Sequence, residues 1–390
     1  MSQKAVVITS LKHADLVSDR PLPVLRDDYI LVKTVAVALN PIDWKNVEYI
    51  APPGVLVGCD YAGIVEAVGK DVKKPFRKGD RVCGVTHGSN AVYPEDGAFA
   101  EYITAKGDVQ MLIPDNLSFE EAATLGVGIS TVGQGLYQSL QLAWPTEPIT
   151  QSPAPFVLIY GGSTATGTLA IQFAKISGYR VITTCSPRNF DLVKKLGADA
   201  VFDYRDPAAA EEIHRFTGNE LRLVLDTIAL EDSAKFCDKA ISTDGGDYSA
   251  LLSVEIAREN VRNRWTLAFS IFGEELKFGN SLFPAKPEDK AFAEKFWARR
   301  RSCSQRARSS HIRFLCGGRI ARRVGGHAGN EGGQEPVSKA IIHPVVILYL
   351  HHPHRSNSLV VLMPILIFVL CGLPVLLIEI FARSGHTWTG

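Results

Sequence analysis

The sequence predicts an α/β protein in which a partly open β-barrel precedes a doubly wound parallel sheet. Three observations carry that expectation. Short strand-like runs broken by turns fill the first 115 residues, strands alternate with helices from Phe156, and a loop of small residues joins the first of those strands to its helix. A chain of 390 residues is long enough for two or three domains and at least one sizeable core.

In chain order, residues 5–8, 29–37, 63–68, 80–85 and 98–103 are rich in Val, Ile and Tyr and are punctuated by Gly or Pro, as the strands of a compact barrel would be. Ser118 with Glu121 makes a capping box ahead of an Ala-containing run, which marks a helix start. Residues 156–160 read as a buried strand, and Leu169, Ala170, Phe173, Ala174 and Ser177 share one face of a helix stopped by Gly178. A strand at 181–185, a helix at 189–196 ending at Gly197, strands at 201–204 and 223–228, a helix at 233–241 and a strand at 248–254 complete the series. Strands and helices alternating at these lengths imply right-handed crossovers and a sheet covered on both faces, the layout of a dinucleotide-binding domain.

Net charge is +1, from 42 basic and 41 acidic residues, which argues against a dedicated nucleic-acid binder. The average hides two compositions: residues 298–390 hold 12 basic and 3 acidic side chains with seven of the ten histidines, against 30 basic and 38 acidic in 1–297. The seven cysteines have no metal-ligand spacing, so neither zinc nor a disulfide framework is predicted. The N-terminus lacks an apolar signal core, which predicts a cytoplasmic body. The alternative is a membrane anchor through the apolar residues 359–381, long enough to cross roughly 30 Å of hydrocarbon.

The loop Gly161-Gly162-Ser163-Thr164-Ala165-Thr166-Gly167 has the small residues that let a pyrophosphate approach backbone N–H groups at a helix N-terminus. Roughly 20 residues on, where an NAD enzyme places an acid for the ribose hydroxyls, none stands. The second strand instead ends in Cys185-Ser186-Pro187-Arg188-Asn189, whose hydroxyl, guanidinium and amide suit a 2′-phosphate. NADPH is the expected cofactor, and the competing reading is that Ser186 or Asn189 only caps the next helix.

Asn40-Pro41-Ile42-Asp43-Trp44-Lys45, Pro53-Gly54 and Gly58-Cys59-Asp60-Tyr61-Ala62-Gly63 resemble the zinc-free branch of the medium-chain dehydrogenase/reductases. Zinc-dependent members have a cysteine near Ile42 and Gly-His-Glu where this chain has Gly58-Cys59-Asp60, so no metal is expected. Within that branch the stretches 125–133, 160–166, 185–192, 201–205 and 271–274 are similar to fungal trans-acting enoyl reductases, partners of polyketide synthases. The resemblance implies a GroES-like domain at 1–125, to which 265–297 return, and a Rossmann NADPH-binding domain at 126–264. It implies NADPH contacts at Ile42, Asp43, Trp44, Lys45, Ser163, Thr164, Ala165, Thr166, Ser186, Pro187, Arg188, Asn189, Tyr204, Leu251 and Leu252. Gly126, Val127, Gly128, Ile129, Ser130, Thr131, Val132 and Gly133, with Ser270, Ile271, Phe272, Gly273 and Glu274, would line the acyl chain.

The implied reaction passes hydride to the β-carbon of an enoyl thioester on an acyl carrier domain, with Lys45 or backbone N–H groups holding the thioester oxygen. Tyr49, Tyr137, Ser130 and water remain open as proton donors. A quinone or enone reductase is the alternative within the superfamily, and monomer and homodimer are both open. His87 reads as a surface or turn histidine, Cys59 as a small buried hydrophobe, Asp43 as a cofactor contact or a loop tie, and Asp226 as a cofactor-facing group or a turn closure. After Trp297 the resemblance stops. Codons permitted for residues 306–313 and 319–338, read in displaced frames, can spell stretches similar to the missing family segments, so 298–390 reads as an aberrant, out-of-frame or mis-spliced tail. Read literally, its arginines at 299–323 suit nucleic acid or lipid headgroups and 359–381 a membrane, and the chain would then be an inactive, anchored product of a damaged gene.

Overall fold

Alternation along the first strands builds the barrel half of the chain, whose computed structural model describes residues 1–309 and 347–349. The hairpin β1 (Ser2–Ser10) and β2 (His13–Pro21) turns Ala5, Val7 and Ile8 inward. The strands β3 (Tyr29–Ala38), β4 (Asp60–Val68), β5 (Arg81–Val85), β6 (Tyr102–Lys106) and β7 (Gln110–Leu112) form an antiparallel sheet in which β6 pairs with the first half of β3. Val32, Val65, Val82 and Ile103 meet in its core. Between β3 and β4 lie a short helix α1 (Pro41–Lys45) and a π-helical turn, Asn46–Ile50. Two further helices, α2 (Phe119–Ala123) and α3 (Gly126–Val132), lead out of the barrel, the first opened by the expected capping box: Glu121 N–H donates to Ser118 Oγ at 3.2 Å.

The second half alternates β8 (Phe156–Tyr160), α4 (Ala165–Ile176), β9 (Arg180–Thr184), α5 (Phe190–Lys195), β10 (Ala200–Phe202), α6 (Ala209–Phe216), β11 (Leu223–Asp226), α7 (Glu231–Ala240), β12 (Gly246–Ala250) and β13 (Val261–Trp265). Its strands are parallel and run in the order β10-β9-β8-β11-β12-β13, so the winding reverses between β8 and β11. β8 is buried throughout, and its alternation sends Val157 and Ile159 into one core and Phe156, Leu158 and Tyr160 into another. After β13 the chain makes a 3₁₀ turn (Ala268–Phe272), the hairpin β14 (Leu276–Phe278) and β15 (Ser281–Phe283), and the helix α8 (Pro287–Ser309). The last described strand, β16 (Ile347–Tyr349), pairs antiparallel with Ala36–Ala38 of β3.

Several elements depart from the sequence expectation. β2 is mostly exposed and carries charges, so it lacks an apolar pattern, while α6 buries only Ala209, Ala210 and Ile213 and has no side-chain cap. β13 is polar, and its Arg262 and Arg264 are held by Asp247 at 2.6 and 2.5 Å on the neighbouring strand. The strand expected at 98–103 begins only at Tyr102, because the buried residues 98–100 form a loop that touches β1 through a single Ala5–Ala100 bridge. α8 runs on through residue 298, where the aberrant tail was read to begin. No helix among the described residues is long and apolar enough to cross a membrane, and the apolar stretch 359–381 lies outside them.

Candidate active site

Every expected cofactor residue of the second half stands at the C-terminal edge of the parallel sheet. The loop 161–167 follows β8, Ser186 to Asn189 follow β9, Tyr204 follows β10, and Leu251 and Leu252 follow β12. The crevice where the winding reverses is the place where such sheets bind nucleotides. Gly161 turns there at φ +83°, and a Cβ on it would come within 2.6 Å of Thr227 Oγ1, the hydroxyl that closes the crevice from the β11 side. Thr227 donates to the Tyr160 carbonyl at 2.8 Å and shares a hydrogen bond with Thr164 at 3.0 Å.

Thr164 is the N-cap of α4 and accepts from Gly167 N–H at 2.9 Å. Ala165 and Thr166 follow in the first turn of α4, whose N–H groups have no acceptor within the helix and make a cradle that would fit a pyrophosphate. Neither Ser186 nor Asn189 makes a side-chain cap, so the capping reading of those two residues is not what the structure shows. Arg188 is exposed and has no ion-pair partner among the described residues. A guanidinium so placed at the end of β9 fits the 2′-phosphate of NADP.

Asp226 is settled differently. Fully buried, it accepts from Ile228 and Ala229 N–H, from Ser233 Oγ at 2.6 Å and from Tyr248 Oη at 2.7 Å, so it closes the β11–α7 turn and does not face a cofactor.

On the barrel side the loop after β3 is tied by acids. Asp43 accepts from Asn40 N–H at 2.7 Å, and Asp60 accepts from Asn40 Nδ2 at 2.9 Å and from Val127 N–H, the start of α3, at 2.6 Å. Asp60 therefore joins the α1 loop to α3. α3 packs in turn on α4, where Gly128 lies against Leu169. Gly126 is required for this approach, since a Cβ there would meet the Gly84 carbonyl at 2.1 Å and Asp60 Oδ1 at 2.6 Å. Burial pushes the Asp43 carboxyl up to about 7, against hydrogen bonds from Asn40 and Cys59 that favour its charge. Burial lifts Asp60 further, to about 8, with Asp43 adding to the rise. Cys59 is fully buried and its thiol is pushed up by burial and by Asp43.

Asp43 thus has the loop-tying contacts. Lys45 is half-buried, which pushes its ammonium below the usual lysine range, and it has no ion-pair partner among the described residues. Ile42 is half-buried, Trp44 is exposed, and Tyr49 lies edge-on to Trp44 at 6.2 Å.

Of the residues expected to line an acyl chain, Val127 alone in Gly126 to Gly133 is not buried; Ser130 Oγ is buried without a partner among the described residues, and Thr131 donates to the Val127 carbonyl at 2.8 Å. Ser270 accepts from Gln134 Nε2 at 3.1 Å; Ile271 and Phe272 are buried, and Gly273 has left-handed backbone at φ +63°. Glu274 binds Lys106 at 2.7 Å and Tyr29 Oη at 2.8 Å, which fastens this segment to the barrel.

His87 corrects the sequence reading. It is only 4 % exposed and stacks on Phe269 at 4.2 Å, so it is an interior residue and not a surface one. Tyr137 is also removed from the proton donors, because its hydroxyl is buried against the Phe173 carbonyl at 3.2 Å and Ser177 Oγ at 2.9 Å. Tyr137→Phe should leave kcat within about twofold and cost about 1 kcal/mol of stability in thermal unfolding. A large loss of kcat with the fold intact would put that hydroxyl back into the chemistry.

Known proteins align with this arrangement. Residues 26–115 match the alcohol dehydrogenase GroES-like domain family and 165–248 the zinc-binding dehydrogenase family. The chain is 64% identical over 285 residues to the trans-enoyl reductase TOXD of Cochliobolus carbonum, a stretch covering 73% of this chain and 95% of that protein. It is 50% identical over 310 residues to the trans-enoyl reductase resD of Aspergillus sclerotiorum, covering 76% and 87%. An alcohol dehydrogenase superfamily protein from Novosphingobium aromaticivorans shares the fold, with a TM-score of 0.63 at 23% identity over 79% of this chain and 87% of that one.

Proposed function

We propose that this chain, which belongs to the trans-enoyl reductase family of the medium-chain dehydrogenase/reductase superfamily, uses NADPH to reduce the double bond of an α,β-unsaturated polyketide thioester carried by a synthase acyl carrier domain. The observation that carries the cofactor half of this reading is the uncapped Ser186-to-Asn189 turn with its unpaired Arg188, set beside the α4 cradle. The substrate half rests on the relatives, which are named trans-enoyl reductases at up to 64% identity.

NADPH, when bound, would supply a hydride to the β-carbon. The double-bond electrons then move onto the thioester as an enolate, and a proton is added at the α-carbon. The chain's residues act around that step. First-turn N–H groups of α4 and the Arg188 guanidinium hold the two phosphate regions, and Thr164 with Thr227 fixes the loop between them. Lys45 is a cation without a carboxylate partner among the described residues, suited to stabilising the thioester oxygen as it gains charge. Tyr49, Ser130 and water are the proton donors left after Tyr137.

The test is NADPH consumption by the full chain with three acceptors: a carrier-bound enoyl thioester, a free enone and a quinone. Carrier-bound substrate should exceed both free acceptors by at least about tenfold in kcat/KM, because contacts remote from the double bond contribute to the transition state. A preference for the quinone or free enone would select the other reductase reading. Failure to bind NADPH at millimolar concentration would favour the inactive product.

A further inference from the structure

A small cavity lies beneath Phe272 in the segment that fastens the post-sheet turn to the barrel. It is lined also by Thr86, His87, Asp96, Thr104 and Lys106, and its volume of about 10 Å³ matches one water-sized group. Two of the lining residues carry a buried polar atom without a hydrogen-bond partner among the described residues, His87 Nδ1 and Thr104 Oγ1. Their side chains are 4 % and 1 % exposed, so bulk water does not serve them. Unmet polar atoms at such depth are costly, and an occupant that bonds both removes that cost.

The surroundings state the charge of that occupant. Burial holds His87 down at about 3, so its ring is neutral at working pH, with one nitrogen able to donate and the other to accept. Asp96 is already engaged by Arg26 and by Asn90 Nδ2 at 3.3 Å, and Lys106 by Glu274 at 2.7 Å and Asp28 at 3.0 Å. An anion would face Asp96 and a cation Lys106, leaving a neutral oxygen as the group that suits the wall.

We infer that this cavity binds one uncharged oxygen through His87 and Thr104, supplied by a water or by a hydroxyl or carbonyl at the far end of the bound acyl chain. The substrate arm rests on the proposed function, and on the family resemblance by which Ser270 to Glu274 would line the acyl chain. His87 stacks on Phe269 at 4.2 Å and lies parallel to Phe272 at 6.1 Å, which holds the plane of its ring against the post-sheet turn.

Two enoyl thioesters of equal length, one ending in a methyl group and one in a hydroxyl, separate the sources. If the oxygen comes from substrate, kcat/KM should favour the hydroxylated chain by about tenfold or more, and Thr104→Val and His87→Phe should each erase the preference while still turning over the plain chain. If it comes from water, the two substrates should react alike, and a crystal structure of the full chain should show one ordered solvent peak bridging His87 and Thr104 that is lost in Thr104→Val. A substrate preference untouched by both variants, or no preference together with an empty cavity, overturns the inference. Failure of the full chain to reduce either thioester would count against the proposed function alone, since the solvent peak still decides the cavity.

Discussion

Replacing Arg188 by alanine should raise the KM for NADPH about 10- to 100-fold and leave that for NADH within about twofold. The turn at the end of β9 offers its hydroxyl, guanidinium and amide without using any of them to cap α5, and Arg188 has no competing carboxylate among the described residues. A charge-assisted hydrogen bond to a phosphate contributes roughly 1.5 to 3 kcal/mol, and each 1.4 kcal/mol is about a factor of ten. The 2′-phosphate distinguishes the two nucleotides, so the loss should fall on one of them. Steady-state kinetics of the purified variant with each nucleotide measure it. An equal loss for NADPH and NADH would mean that Arg188 shapes the loop and does not read the phosphate.

Thermal stability should fall by about 5 °C as pH rises from about 6.5 to 9, the reverse of the common acid-labile pattern. Burial raises three carboxyls in the folded chain, Asp43 and Asp96 to about 7 and Asp60 to about 8, from an ordinary value of 3.8. Within that window the folded chain holds protons that the unfolded chain has released. Unfolding therefore releases protons, and alkali favours it until the pH passes the highest folded value. His87 acts in the opposite sense only below 6.5, where the unfolded ring takes up a proton that the buried ring resists down to about 3. Differential scanning calorimetry across the range reads the sum, and Asp60→Asn should flatten the slope. A melting temperature that is level or rising through the window would mean that these carboxyls are charged in the folded state.

What could be read from the sequence was set by the backbone. The loop at 161–167 needs small residues and a cap at one spacing, so its place after β8 and before α4 was legible without any tertiary information. The turn at 186–189 was found by counting onward from it. The acid cluster was not legible in that way: Asp43 and Asp60 sit on different elements, and only the fold brings both onto Asn40 and one of them onto α3.

His87 was misread because Thr86-His87-Gly88-Ser89-Asn90 has the composition of an exposed loop. All five are buried, since the loop satisfies much of its own polarity. Thr86 Oγ1 donates to the Gly58 carbonyl at 3.1 Å, Asn90 Oδ1 accepts from Val92 and Tyr93 N–H, and the rings of Phe269 and Phe278, far along the sequence, cover His87.

The Asp60 carboxyl, which takes hydrogen bonds from the loop after β3 and from the start of α3, also limits how the cleft can move. Parting α3 from the loop after β3 at Asp60 would strand the Asn40 and Val127 donors in a dry corner, so admission of substrate and departure of product should swing about that corner, with the widest travel at the rim farthest from it.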